Sequence, residues 1–276
     1  MSRNGAEVIL REVARAGTEN VGIAHAALAF ARLEREGIDP EPYEEHITAL
    51  ATDVAQLLRG RAASIQHATD VLNAVMFDAY GYIGDKDAYD DVENADLMRV
   101  IDRRRGLPVA LSVLYMHIAR IAGLRASGLS FPGHFLLRLD LGAERAVIDP
   151  FNGGVQLQAD GMRALLKGTL GEQTELTPDM YQPVDDFEVL LRLQNNIKHR
   201  LIEQDRMTDA AVVIDRMRLI APTAPDLMRE AGLLHTHAGN LKSAIAALEG
   251  FLALERLPGP RRDASILLQR LRSCLN

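Results

Sequence analysis

The chain has 276 residues, 47% hydrophobic and 25% charged, a balance that supports a buried core and excludes disorder and collagen-like structure. Its formal net charge of −7 leaves no basic footprint for nucleic acid, and aromatics at 5% without tryptophan leave few rings to stack on bases. A single cysteine, Cys274, can neither close an internal disulfide nor build a cysteine-rich zinc site, and the length corresponds to about two domains.

The amino end lacks the apolar stretch of a secretory leader, and no uncharged apolar run reaches the ~18 residues of a membrane span. The expectation is a cytoplasmic protein whose partner is neither nucleic acid nor membrane. Ile23, Ala27, Leu28, Ala31 and Leu33 follow a helical period. Gly37-Ile-Asp-Pro40 then combines a stop, a capping Asp and a helix-starting Pro. A second helix is predicted over 41–59, with Ile47, Leu50, Val54, Leu57 and Leu58 on one face. A third, over 64–77, carries Ala68, Val71, Leu72, Val75 and Met76.

The middle changes character. Residues 80–94 are rich in Gly, Asp and Tyr and read as a loop. Gly106 and Pro108 introduce an apolar helix over 109–122, which Gly123 ends in the left-handed manner. Strands are expected at 126–129, 134–139 and 146–148, with hairpin chemistry at Asp140-Leu-Gly-Ala143. Helices followed by strands indicate an α+β core.

The last third is helical and repetitive. Shifting 207–222 onto 241–256, by 34 residues, superposes Ala210 on Ala244, Ile214 on Leu248, Met217 on Phe251 and Ile220 on Leu254. Upstream, the same shift places Leu193 on Leu227. That period with small residues at the helix crossing is a tetratricopeptide signature, although the usual aromatics are missing. Residues 264–275 would cap the array, with Cys274 as a small hydrophobe in the capping helix. Residues 173–186, with two Pro and several acids, read as a linker.

The densest constellation is Phe131-Pro-Gly-His134-Phe-Leu-Leu followed by Val147-Ile-Asp149-Pro-Phe-Asn-Gly-Gly154. Alternation puts His134, Leu136 and Arg138 on one strand face, and a hairpin closed at 140–143 lets Asp149 lie opposite or diagonal to His134. A carboxylate there would fix the imidazole's tautomer and raise its basicity. A structural histidine beside a turn is the competing reading of the pair alone.

Asn94-Ala-Asp-Leu97, Arg104-Arg-Gly-Leu-Pro-Val-Ala-Leu-Ser112, Phe131-Pro-Gly-His-Phe135 and Ile148-Asp-Pro-Phe-Asn-Gly-Gly154, in this order, resemble the SirB invasion-regulator family. The resemblance covers residues 20–275. It implies a bacterial protein with a papain/transglutaminase-like α+β core joined to all-α tetratricopeptide repeats. The corresponding division is 1–79 as the helical part of the core, 80–172 as the transglutaminase-like core, 173–186 as linker and 187–276 as repeats.

In that superfamily a nucleophilic Cys starts a helix, a His follows on a strand, and an Asp lies on the next strand. His134 and Asp149 match the second and third members, while the nucleophile position falls near Pro108. No cysteine is near it, and a thiolate is what such a site needs. The implied protein is a non-catalytic binding or regulatory module whose repeats dock a peptide or protein. The alternative is an amide hydrolase or acyltransferase using His134, Asp149 and either Ser112 or water. A helical Ser usually bonds its own backbone, which weighs against Ser112.

Arg104, Arg105, Asn94 and Asn152 are the candidate binding side chains, the arginines as holders of an anionic group or of a carboxylate. Acids between Asp85 and Glu93 lack the spacing of an EF-hand loop, and His235 and His237 point apart on a helix, so no metal site is expected. Gly81-Tyr-Ile-Gly84 lacks the Lys of a phosphate loop, and no cofactor is expected.

Overall fold

The computed structural model of the chain describes residues 3–18, 22–35, 37–58 and 64–274. It opens with α1 (Arg3–Ala16), α2 (Ile23–Glu34) and α3 (Glu41–Leu58); Arg59, the expected end of the helix that α3 forms, lies outside the described residues. Helix α1 was not among the predicted elements. Ala6, Leu10 and Val13, three and four residues apart, bury its inner stripe. α2 is buried nearly all round, because α1, α3 and later helices cover it on several sides.

The third predicted helix divides in two. α4 (Ile65–Asn73) starts on Ser64, whose Oγ accepts the His67 amide at 3.1 Å. At 74–79 the winding widens to a π-turn, so the helix does not run regularly to Phe77. The change follows Asn73, whose Nδ2 donates to the Gly154 carbonyl at 2.9 Å while Oδ1 accepts from the Tyr115 hydroxyl at 2.7 Å. A side chain committed to two distant elements thus sits where the helix changes pitch.

A short parallel pair, β1 (Ile83–Gly84) with β2 (Arg105–Gly106), brackets α5 (Leu97–Arg103). α6 (Pro108–Ile121) runs through the centre and is buried from Pro108 to Ala119. An antiparallel sheet follows: β3 (Arg125–Phe131), β4 (His134–Leu141), β5 (Glu144–Asp149) and β6 (Val155–Leu157). Its order is β6-β5-β4-β3-β7, where β7 is Pro183–Val184. The β4–β5 turn contains Gly142 at φ 60°, the left-handed backbone expected of hairpin chemistry there. One face, through Ala126, Phe135, Leu137 and Ile148, joins the α6 core. The other, through Leu129, Phe131 and Leu136, packs on Met162 and Leu166 of α7 (Ala159–Leu170). The α+β class read from the sequence is the architecture observed.

Five helices complete the chain: α8 (Asp186–Glu203), α9 (Met207–Ile220), α10 (Pro225–His237), α11 (Leu241–Leu254) and α12 (Pro258–Ser273). α9 and α11 both have 14 residues and start 34 apart, at Met207 and Leu241. Ala210, Ala244, Ile214, Leu248, Met217 and Phe251 are all buried, so three of the four pairs match core position to core position; in the fourth, Ile220 is buried and Leu254 exposed. α12 covers Leu248 and Phe251 with Ala264, Leu268 and Leu271. Cys274 is exposed at its end, a correction to the packed side chain expected, and Leu275 lies outside the described residues. Among the described residues no helix is long and apolar enough to cross a membrane.

Repeats and sheet are joined at one edge. Segment 173–186, expected as a linker, carries β7, which pairs with β3 through Gly128↔Val184 and Leu129↔Pro183. Asp185 caps α8 by accepting the Glu188 amide at 2.8 Å. Asp186 takes both terminal nitrogens of Arg120, at 2.6 and 2.8 Å, and the Thr18 hydroxyl. Replacing Asp186 with Ala strands a half-buried guanidinium. The expected cost is about 2 kcal/mol, below the full figure for buried pairs because Arg120 is partly solvated. Urea unfolding with helicity as the signal should show a lower midpoint; an unchanged midpoint would show that this junction contributes nothing.

Candidate active site

Three elements converge at one end of α6. Pro108 occupies the first helical position, where its missing N–H costs no hydrogen bond, and Leu107 precedes it as a cap without a side-chain acceptor. β4 begins at His134 immediately after Gly133, whose φ of 69° sets the turn from β3. β5 ends at Asp149. The β4–β5 register pairs Leu137 with Ile148, so Asp149 lies one residue beyond the last pair and His134 reaches it diagonally.

His134 Nε2 stands 2.9 Å from Asp149 Oδ2. The oxygen lies off the direction of the imidazole N–H, so the two groups are in close contact without an aligned hydrogen bond. Asp149, 2% exposed, is otherwise well supplied. It accepts the Phe151 and Asn152 amides at 3.0 and 3.3 Å and the Asn152 side-chain Nδ2 at 2.7 Å. Burial works against its charge, but His134 and Asn152 together hold the carboxyl below its ordinary value. Phe151 turns its ring edge-to-face to the imidazole, with centroids 6.1 Å apart.

Pro108 and His134 line the same cavity, about 150 Å³ in volume. Its other walls include Val109, Phe135, Tyr89 and Arg192. Pro108, near which the resemblance puts the nucleophile, thus lines the same cavity as the imidazole and brings no reactive side-chain atom to it. Ser112 is fully buried one turn along α6, does not border the cavity, and its Oγ has no hydrogen-bond partner. The Ser112 and His134 side chains share no hydrogen bond.

The remaining sequence candidates divide. Asn152 belongs to the site as the orienter of Asp149. Asn94 is fully buried, donates Nδ2 to the Ala88 carbonyl at 2.6 Å, and its own carbonyl accepts the Leu107 amide at 2.9 Å, fixing the approach to α6. Arg104 points elsewhere: at φ 56° its Nη1 donates to His46 Nε2 and the Tyr82 hydroxyl, at 2.6 and 2.7 Å. Burial, helped by that guanidinium, pushes the His46 imidazole down to about 4. Arg105 meets Asp87 at 3.3 Å, and Arg103 meets Asp85 and Asp91 at 2.9 and 3.1 Å. The arginine run thus holds carboxylates of the acidic loop. His235 bonds Asp215 at 3.0 Å within the repeats.

Sequence reasoning missed Tyr89 and Arg192. The acidic loop is strapped at its other end by Arg200 of α8, which donates to the Tyr89 carbonyl at 2.9 Å and lies over the Tyr89 ring. Arg192 of α8 donates to the His134 carbonyl at 2.7 Å and lies over the Phe135 ring. Helix α8 is therefore a wall of the cleft. A signal was present in the sequence: Arg192 precedes Leu193, a position matched by the 34-residue shift, but nothing local indicates what it faces.

Comparison with known proteins agrees with the overall architecture. A transglutaminase-like superfamily model matches residues 41–195, and a tetratricopeptide repeat model matches residues 197–272. The chain is 31% identical over 242 residues to a UPF0162 protein of Xylella fastidiosa, spanning 86% of this chain and 85% of that one. It is 27% identical over 193 residues to protein SirB1 of Salmonella typhimurium, spanning 69% and 70%. A 136-residue stretch is 33% identical to F-box only protein 21 of Homo sapiens, covering 46% of this chain and 21% of that one.

Asp149 makes a signed prediction. Its folded pKa lies below its unfolded value, so its contribution is complete above the ordinary carboxyl value of about 4 and is lost as pH falls through the depressed folded value. Acid titrations of stability for the native chain and Asp149→Asn should converge toward low pH, with the native chain more stable at pH 6. Parallel curves would show that the carboxylate carries no linkage.

Proposed function

Because the chain belongs to the SirB-like family of transglutaminase-like cores carrying tetratricopeptide repeats, we propose that it is a binding or regulatory protein rather than a thiol enzyme. One observation carries this reading. His134 and Asp149 stand 2.9 Å apart with their supports in place, yet the helix start beside them is Pro108. A thiolate attacking an amide needs a sulfur at that point, and proline offers no side-chain nucleophile. The buried position of Ser112 Oγ, with no bond to His134, gives a serine mechanism no support.

In this reading a peptide or protein docks on the α8–α12 array, and the cleft is a recognition pocket that has kept the imidazole and carboxylate of its fold. The working division follows the sequence: helical part of the core 1–79, transglutaminase-like core 80–172, connecting segment 173–186 and repeats 187–276. The repeats are the surface through which a cytoplasmic partner is held, with neither nucleic acid nor membrane required.

Restoring the sulfur tests the assignment. In a Cys274→Ser background, Pro108→Cys should give a thiol that iodoacetamide alkylates at pH 7 at least ten-fold faster than Cys274 of the native chain, because a helix start and an imidazole both favour thiolate. Adding His134→Ala should remove that advantage. The native chain should neither hydrolyse a peptide amide nor exchange it for an amine. Turnover by the native chain, or an engineered thiol indifferent to His134, would contradict the reading.

A further inference from the structure

We propose that the cleft beside His134 is a carboxylate receptor that takes an acidic group of a partner peptide, with Arg192 as its cation. This rests on the cleft being a recognition pocket rather than a reaction site, and it adds the chemistry that the pocket selects.

The first observation is an unbalanced charge. Arg103, Arg105, Arg120, Arg138, Arg145 and Arg200 all stand within ion-pair distance of a carboxylate. Arg192 does not: among the described residues its guanidinium meets only the carbonyls of His134 and Phe131, at 2.7 and 3.5 Å, and the face of Phe135. It is only partly exposed, and burial pushes its pKa down, so its charge is desolvated without being neutralised. Two carbonyls and a ring face leave its net charge unpaired, and its planar fork matches a carboxylate.

The second observation is a helix start without a side-chain cap that borders the same space. Leu107 offers no side-chain acceptor to the first turn of α6, and Val109 and Ala110 are buried there. Amides at a helix start carry a partial positive charge and satisfy themselves on anions when nothing caps them. The third is shape and surroundings. The cavity of about 150 Å³ has room for one carboxylate and the methylenes behind it, with Phe135 and Tyr89 as apolar walls. The carboxylate of Asp149, beside the His134 that lines the pocket, is already engaged by His134 and Asn152 and is 2% exposed. Because Arg192 sits on α8, the helix that runs from the core into the repeats, a chain docked along the repeats can deliver its acidic group here.

Two sources would present this chemistry, a glutamate or aspartate side chain and a peptide C-terminus. The test follows the His134 imidazole by NMR in the full chain. Four probes are titrated: acetyl-trialanine with a free C-terminal acid, acetyl-Ala-Ala-Glu amide, acetyl-trialanine amide and inorganic phosphate. At least one acidic peptide should shift His134 saturably at a concentration ten-fold or more below the neutral amide, and whichever acid does so identifies the source. Arg192→Gln should abolish that difference, and Arg192→Lys should retain part of it. If Arg192→Gln does not fold, the acid-to-amide ratio in the native chain and in Arg192→Lys decides. Equal binding of acid and amide, phosphate binding as tightly as either acid, or full selectivity surviving in Arg192→Gln would overturn the proposal. Those failures leave the absence of turnover untouched, whereas turnover of an amide would overturn the reading of the cleft itself.

Discussion

A carboxylate buried at the end of a strand is the constraint around which the rest of the core is arranged. Asp149 is nearly inaccessible, and an ion so placed must find several donors close by. The chain supplies them locally, by turning at 150–152 so that two amides and the Asn152 side chain point back. Across the hairpin, the His134 imidazole stands against the same carboxylate at 2.9 Å. The turn is itself braced, because Asn73 holds the Gly154 carbonyl and is held by Tyr115 of α6. A π-turn, a central helix and a hairpin are thereby tied to one anion.

The same arrangement accounts for how the imidazole–carboxylate pair would be kept in the proposed binding role. The His134–Asp149 pair serves the stability of the β5 end whether or not a reaction takes place beside it. Pro108 fits the start of α6 on conformational grounds alone, since the first turn has no hydrogen bond for it to break. Stability and catalysis are separable at this end of α6. The repeats are bound to the core by Asp186 and by the strap from Arg200 to Tyr89, so α8 belongs to both modules. In the proposed reading, a partner held by the array would have one end of its docking surface at the cleft.

Much of this was legible in the sequence, for identifiable reasons. The 34-residue shift survives because small and apolar side chains at helix crossings are fixed by packing, as Ala210 and Ala244 show. The His134–Asp149 meeting could be read because strand alternation and a short hairpin leave few registers. α1 was missed because its apolar stripe is narrow and charged residues surround it. The π-turn depends on what Asn73 touches, and β7 has two residues, too few for any period. Arg104 takes a left-handed backbone usually left to glycine, which its packing over Tyr82 accompanies and its neighbours in sequence do not announce. Arg192 reads as a solvated charge on an amphipathic helix until the sheet is set against it.

The central claim is that an intact imidazole–carboxylate pair faces a helix start with nothing to attack a carbonyl. Intact-mass spectrometry of the native chain after exposure to an activated peptide ester, with the acylated residue mapped by digestion, addresses it most directly. The account predicts no acyl group on any residue bordering the cleft. An acyl group on Ser112 or on a cleft residue, formed by the native chain and lost when Asp149 becomes Ala, would contradict it.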